Sequence, residues 1–249
     1  MDLTIRPAEL DDAPFLVPLV NEADGGMPLA IWTSLARPGE SPLDVGLRRV
    51  RSDDTPVSWR MAWIAEAEGR PVGALIVHQL AETPEQLEAT IMSPLWVPFV
   101  ELELLASDSG YIKTLTVIEP LRGQGLGSQL LRFAERFRGP EGMSTIVGNH
   151  DEASRRFFER HGFAEAARRP MVKDGWQTPG TEWILLRKAC SAPANPYALA
   201  LASSLVPGLG TSGPTGCRSG PISVIGPCIP RRLRRPVWHP MLSRVLRLR

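Results

Sequence analysis

The residue types that could do chemistry concentrate between Tyr111 and Ser128. There an apolar strand, Tyr111-Ile112-Lys113-Thr114-Leu115-Thr116-Val117-Ile118, leads through Glu119-Pro120-Leu121 into Arg122-Gly123-Gln124-Gly125-Leu126-Gly127-Ser128. The residues that follow, Gln129-Leu130-Leu131-Arg132-Phe133-Ala134-Glu135, read as helix. A glycine-rich turn between strand and helix lets successive backbone N–H groups converge on an anion at the positive end of the helix dipole. The pattern therefore points to a phosphate-bearing ligand. It is not a P-loop, because no lysine precedes Ser128. Nor is it the dinucleotide fingerprint, whose third glycine falls three positions after the second, whereas these fall at 123, 125 and 127. What remains is Arg/Gln-x-x-Gly-x-Gly/Ala, met by Arg122, Gly125 and Gly127.

A second block follows: Asp151-Glu152-Ala153-Ser154-Arg155-Arg156-Phe157-Phe158-Glu159-Arg160-His161-Gly162-Phe163. Together with Leu115-Thr116-Val117 and the glycine turn, it resembles the GNAT family of acyl-CoA-dependent N-acetyltransferases, whose helix reads Asn-x-x-Ala-x-x-x-Tyr-x-x-x-Gly-Phe. The likeness in order of elements extends over residues 2–189. It implies acetyl-CoA as co-substrate, with no metal. Amides from Gly123 to Ser128 would cradle the pyrophosphate, within a loop comprising Arg122, Gly123, Gln124, Gly125, Leu126, Gly127 and Ser128. The backbone of Leu115, Thr116 and Val117 would meet pantetheine and thioester, and an amide near Val117 would stabilise the oxyanion. Asp151 stands at the family's asparagine and is expected to contact the ligand or cap its helix, with Asn149 near enough to share that contact.

Nucleophilic attack needs a neutral amine, so a base must take its proton, and the departing thiolate calls for an acid. Phe158 occupies the position of the family's acidic tyrosine and has no proton to give. Tyr111 is the substitute candidate, against the plainer expectation of a strand tyrosine with its hydroxyl at the surface. Glu66, Glu101, Glu103 and Glu119 are further carboxylates that the sequence does not rank. His150 and His161 are too isolated for a metal site. Direct transfer to the amine is expected, since the body carries no cysteine for a relay. The acceptor is a small-molecule or peptide amine. The basic stretch from Arg168 to Trp176, and Trp32, Trp59, Trp63 and Trp96, are divided between acceptor recognition and structure. The alternative, motivated by Phe158, is a non-catalytic acyl-CoA-binding or sensor module.

The elements that must hold this site form a mixed α/β arrangement: a mostly antiparallel central sheet with helices on both faces, splayed at a parallel strand pair. Residues 2–7 alternate as a strand, and a helix capped by Asp11 or Asp12 runs to the break at Gly25-Gly26. Further helices are expected over 28–36 and 43–51. Residues 59–66 and 71–78 flank Glu68-Gly69-Arg70 as a hairpin. Residues 94–106 read as a helix or helical loop, then come the 111–118 strand, helix 124–138, strand 145–148, helix 151–161, a strand from Phe163 and a last strand over 181–186. The order is written β-α-α-β-β-β-α-β-α-β-β.

Of 249 residues, 43% are hydrophobic and 22% charged, as in a soluble globular protein. The balance of 28 basic and 27 acidic residues hides an asymmetry. Eight arginines lie after Lys188, where no acidic residue occurs, so the preceding body has 20 basic against 27 acidic residues, a charge near −7. Such a body is not expected to bind nucleic acid. No run has the length of a membrane span and the N-terminus has no apolar signal core, which predicts a cytoplasmic protein. A homodimer through sheet edges is consistent with the resemblance. Residues 1–189 are read as the catalytic domain and 190–249, rich in Pro, Gly and Arg, as a disordered tail, with a basic interaction arm as its functional alternative. All three cysteines, Cys190, Cys217 and Cys228, lie in that tail.

Overall fold

The structure, a computed structural model, describes residues 3–53, 55–80 and 93–190. The chain divides into two units, Met1–Cys190 and Ser191–Arg249. Apart from Cys190, the expected tail lies outside the described residues.

Seven strands form one sheet: β1 (Leu3–Pro7), β2 (Ala62–Ala67), β3 (Arg70–Gln79), β4 (Gly110–Val117), β5 (Met143–Gly148), β6 (Ala164–Pro170) and β7 (Glu182–Lys188). Their spatial order is β1-β2-β3-β4-β5-β7-β6, antiparallel throughout except for β4 beside β5. The β2–β3 hairpin closes on Glu68 and Gly69, both with positive φ, so the turn twists in the sense of its strands.

Helices α1 (Ala13–Ala23), α2 (Met27–Leu35) and α3 (Pro42–Arg51) precede β2, and α4 (Val97–Leu104) precedes β4. Helix α5 (Leu126–Ala134) joins β4 to β5, and α6 (Glu152–Arg160) follows β5. The helices expected over 28–36 and 43–51 are α2 and α3, and the helix or helical loop over 94–106 is α4, although the written order of elements counted two fewer helices. Helix 124–138 is also shorter than expected, ending in a 3-10 turn at Glu135–Phe137.

Alternation along β3 shows how the layers form. Val72, Leu75 and Val77 enter a core with Leu126, Leu130 and Leu131 of α5 and Phe158 of α6. Ala74 and Ile76 face the other way, onto Leu16 and Val20 of α1 and Val45 of α3. A third cluster lies where Met27 and Ile31 of α2 and Phe99 and Leu102 of α4 meet Tyr111, Trp183 and Leu185. Helices thus cover both faces, with α5 and α6 on one and α1 to α4 on the other. Among the described residues no helix is long and apolar enough to cross a membrane.

Candidate active site

Two irregularities in β4 shape the site. On the β3 side, Ile76 pairs with Thr114 and Val77 with Ile112, leaving Lys113 as an extra residue in a bulge. On the β5 side, parallel pairing covers Gly110, Tyr111 and Ile112 and then stops. The Thr145 hydroxyl donates to the Ile112 carbonyl at 3.0 Å at that last pair. Beyond it β5 remains paired with β7 as far as Gly148, so β4 and β5 diverge from a vertex at Ile112 and Thr145.

The direction of the β4 amides follows from one hydrogen bond. Ile118 N–H donates to the Val72 carbonyl of β3 at 2.9 Å. Successive strand amides point to opposite edges, so the amides of Leu115 and Val117 point away from β3, into the divergence. The Val117 carbonyl shares that direction, and Arg122 Nε donates to it at 2.8 Å.

The glycine turn sits at the open end. Gly123 and Gly125 have φ of +77° and +83°, the left-handed region, and a Cβ on either would meet nothing within 4 Å. Gly125 caps α5, and the first intrahelical bond runs from Gln129 N–H to the Gly125 carbonyl at 3.2 Å. The amides of Leu126, Gly127 and Ser128 therefore lack intrahelical acceptors at the positive end of a nine-residue helix. A Cβ at Gly127 would stand 3.4 Å from the Phe157 ring, so this glycine serves the approach of α6 to α5.

Other expected ligand contacts are differently occupied. Arg122 donates its amide to Glu119, and its guanidinium turns back to Val117 and to Glu22 of α1. Asn149 receives the amides of Thr181 and Glu182 and donates to the Thr181 hydroxyl, tying the end of β5 to the start of β7. Asp151 accepts from the Ser154 amide at 3.0 Å and caps α6. Arg168 and Arg169 pair with Glu165, Glu182 and Glu101. Trp32 is buried against Gly46, Trp59 lies under Arg60, and Trp63 packs on Phe133 and Phe137.

At the vertex, on the face covered by α1, α2 and α4, the structure gathers ionisable groups. The bulge residue Lys113 is 7% exposed and its ammonium stands 2.9 Å from Asp24, itself 4% exposed. The ammonium lies 4.6 Å from the ring centres of both Trp96 and Phe99. Asp24 ends α1, where burial and the negative end of the helix both disfavour a carboxylate. Burial prevails over Lys113 and pushes the Asp24 pKa up.

Tyr111 is 1% exposed, which corrects the expectation of a surface hydroxyl. That hydroxyl meets the Glu103 carboxyl of α4, and burial pushes its pKa well up. Glu103 keeps part of its surface in solvent, yet burial of its carboxyl raises its pKa to about 7 against the pull of Lys113. His78 of β3 packs edge-on against Tyr111 at 5.5 Å, and burial lowers its pKa to about 4.

Among the described residues, two buried polar atoms of this region lack a hydrogen-bond partner, His78 Nδ1 and Trp183 Nε1, while Asp24 Oδ2 and Lys113 Nζ hold each other at 2.9 Å. Trp183 joins it through Phe99, at 4.5 Å between rings. Unsatisfied buried polar atoms are rare in native proteins. The four carboxylates left unranked by the sequence now separate. Glu66 pairs with Arg6, Glu101 pairs with Arg169, and Glu119 is exposed, whereas Glu103 alone of the four joins the vertex. Asp24, His78, Lys113 and Trp183 had no sequence signal of their own, although the Gly25-Gly26 break after Asp24 marked the turn that tucks it inward.

An α/β sheet splayed at a parallel pair leaves the amides on one arm unspent and sets a glycine turn at the mouth. Residues 31–163 match the acetyltransferase (GNAT) family. The chain belongs to that family, and its reaction class is acyl transfer. No curated protein sequence matches it. The crystal structure of an N-acetyltransferase from Staphylococcus aureus Mu50 shares the fold, with a TM-score of 0.51 at 18% identity over 74% of this chain and 98% of that one. An acetyltransferase crystal structure aligns at TM-score 0.49 and 16% identity, over 75% and 98% of the two chains. A GNAT family acetyltransferase from Elizabethkingia anophelis with acetyl-CoA bound aligns at 0.35 and 17%, over 51% and 74%.

Proposed function

We propose that the protein transfers an acetyl group from acetyl-CoA to a primary amine, carried by a small molecule or a peptide, through direct attack of the amine on the thioester. The observation that carries this reading is the open β4 edge running from the vertex to the glycine turn. Amides of the turn and of the first α5 residues would hold the pyrophosphate, where the helix dipole favours negative charge. From there the chain's donors follow β4 backward: Val117 first, then Leu115 nearer the vertex. Leu115 is thus the better placed to stabilise the thioester oxygen as charge develops, with Val117 meeting pantetheine. Arg122 would have to release the Val117 carbonyl if pantetheine is to donate to it. Amine attack forms the C–N bond and breaks the C–S bond, so the co-substrate supplies both the acyl group and the leaving thiolate.

Phe158, 6% exposed and packed on the ring of Phe163, supplies no acid, and this favours the second reading of a non-catalytic acyl-CoA module. One experiment separates the two. Acetyl-CoA at a hundredfold excess over its dissociation constant stabilises a specific binder by about 2.7 kcal/mol, read as a rise in melting temperature. Stabilisation with free-thiol release across an amine panel supports the transferase, and stabilisation without release supports the module. No stabilisation at millimolar acetyl-CoA refutes both.

A further inference from the structure

Past the vertex the two arms of the splay carry different groups. Ile112 and Thr145 form the last parallel pair, and Gly148 lies as many residues beyond it on β5 as Leu115 does on β4. Side chains alternate along β5: Val147 joins the core under α5 and α6, whereas Ile146 faces α2 and α4, and Gly148 shares the direction of Ile146. There the imidazole of His150 fills the space of the missing side chain. A Cβ on Gly148 would stand 2.6 Å from its Cε1, and one on Gly180 would run into its Nδ1. Two glycines thus seat an exposed histidine over the β5 arm.

The last turn of α1 lies along the other arm. Glu22 pairs with Arg122, whose guanidinium bonds the Val117 carbonyl, and Asp24 pairs with Lys113 in the β4 bulge. His150 faces this turn, with Nε2 at 3.9 Å from the place a Cβ on Gly25 would take. The ring therefore spans from the β5 arm to the element that lines the β4 arm. We propose that His150 is the proton acceptor for the attacking amine, with Nε2 as the receiving atom. This rests on the transferase reading above.

The surroundings of the ring suit that task. Helices α5 and α6 occupy the opposite face, so an amine reaches the thioester from the side on which His150 sits. The Thr178 hydroxyl accepts from the Gly180 amide at 3.3 Å, which leaves its own proton for Nε2 at 3.4 Å. Nε2 is then the ring nitrogen with the lone pair, and so long a hydrogen bond yields readily to a substrate N–H. Exposure of the ring gives a captured proton a route to solvent. The charged groups on the neighbouring elements are already engaged: Asp24 with Lys113, Lys173 with the Thr178 carbonyl, and Glu182 with Arg168. In the transfer step the amine nitrogen bonds to the acyl carbon and the thiolate leaves with the C–S electron pair. The surplus proton of the nitrogen passes to Nε2, and from the imidazolium to solvent.

The test has an arm that does not depend on turnover. The chain has four histidines, so ring-labelled histidine gives four Hε1 resonances in the NMR spectrum, and His150→Gln identifies the one in question. Saturating acetyl-CoA is expected to shift that resonance. In turnover across an amine panel, His150→Gln lowers kcat about 100- to 10,000-fold with acetyl-CoA affinity unchanged. Added imidazole restores part of the lost rate in His150→Ala, which a purely structural histidine would not allow. A His150 resonance unmoved by saturating acetyl-CoA overturns the proposal, as does turnover of His150→Gln within about threefold of wild type. Loss of rate that imidazole does not rescue overturns it too, and leaves His150 a positioning residue. If the wild type binds no acetyl-CoA or releases no thiol, the transferase reading falls and takes this one with it. If wild type and variant turn over alike, His150 alone is wrong.

Discussion

Replacing Lys113 with methionine keeps a side chain of similar length against Trp96 and Phe99 while removing the charge that faces Asp24 at 2.9 Å. With an effective dielectric near 20, the attraction at that separation is about 6 kcal/mol. Both residues are less than a tenth exposed, so much of this attraction offsets the cost of burying two charges. Removing one partner of such a pair typically costs about 3–5 kcal/mol, because the other remains buried and uncompensated. A domain holds only about 5–15 kcal/mol in all, so Lys113→Met is expected to be severely destabilised at pH 7. The pH dependence has a definite sign. The folded-state pKa of Asp24 already lies above its unfolded value and rises further without Lys113. Relative stability is therefore greatest at low pH and is lost as pH rises, so the penalty of the variant shrinks under acid conditions. The double variant Lys113→Met/Asp24→Leu removes both charges and should recover to within about 1–2 kcal/mol of wild type. Urea denaturation at pH 5 and pH 7 measures all three proteins. A double variant as unstable as the single, or a single variant costing under about 1 kcal/mol, refutes the buried-pair argument.

Three further perturbations separate binding from stability. Gly125→Ala meets open space but must hold φ at +83°, so it should cost about 1–2 kcal/mol in urea denaturation and weaken acetyl-CoA binding more than tenfold by calorimetry, as the new methyl faces the ligand. Gly110→Ala drives a Cβ into the Phe137 carbonyl, so the protein should lose about 1–3 kcal/mol, read as a lower melting temperature. The Glu103 carboxyl holds its proton to about 7 when folded against 4.5 ordinarily. The unfolded chain gives up that proton first, so stability from this group is complete below about 4.5 and declines as pH rises through 7. Glu103→Gln should remove that decline and be the more stable protein at pH 8, by up to about 3 kcal/mol in denaturant titration.

Much of the glycine turn and its flanking elements was legible in the sequence because their determinants are local. Gly123 and Gly125 adopt backbone angles that other residues avoid, and the strand before them and the helix after them declare themselves by periodicity. Asp151 as a helix cap follows from residue type and position alone. The seven strands were equally readable, each an apolar run or a hairpin arm. Local reading did not foresee that Arg122 and Asn149 also bond within the protein, to Glu22, Val117, Thr181 and Glu182. A polar side chain finds its partner in three dimensions, and the partners of these two come from other elements.

Tertiary structure decided the buried polar cluster at the vertex. Lys113 reads as one polar residue in an apolar strand until the β3 register makes it a bulge and the turn after α1 sets Asp24 against it. Glu103 was one of four equivalent carboxylates until α4 docked beside Tyr111. The physical reason is that electrostatic character depends on desolvation and on neighbours within a few ångströms, and no local pattern encodes either when the contributors are distant in the chain. Sequence determined the glycine turn between strand and helix; the packing of α1 and α4 over the splayed strands determined which ionisable groups are buried together.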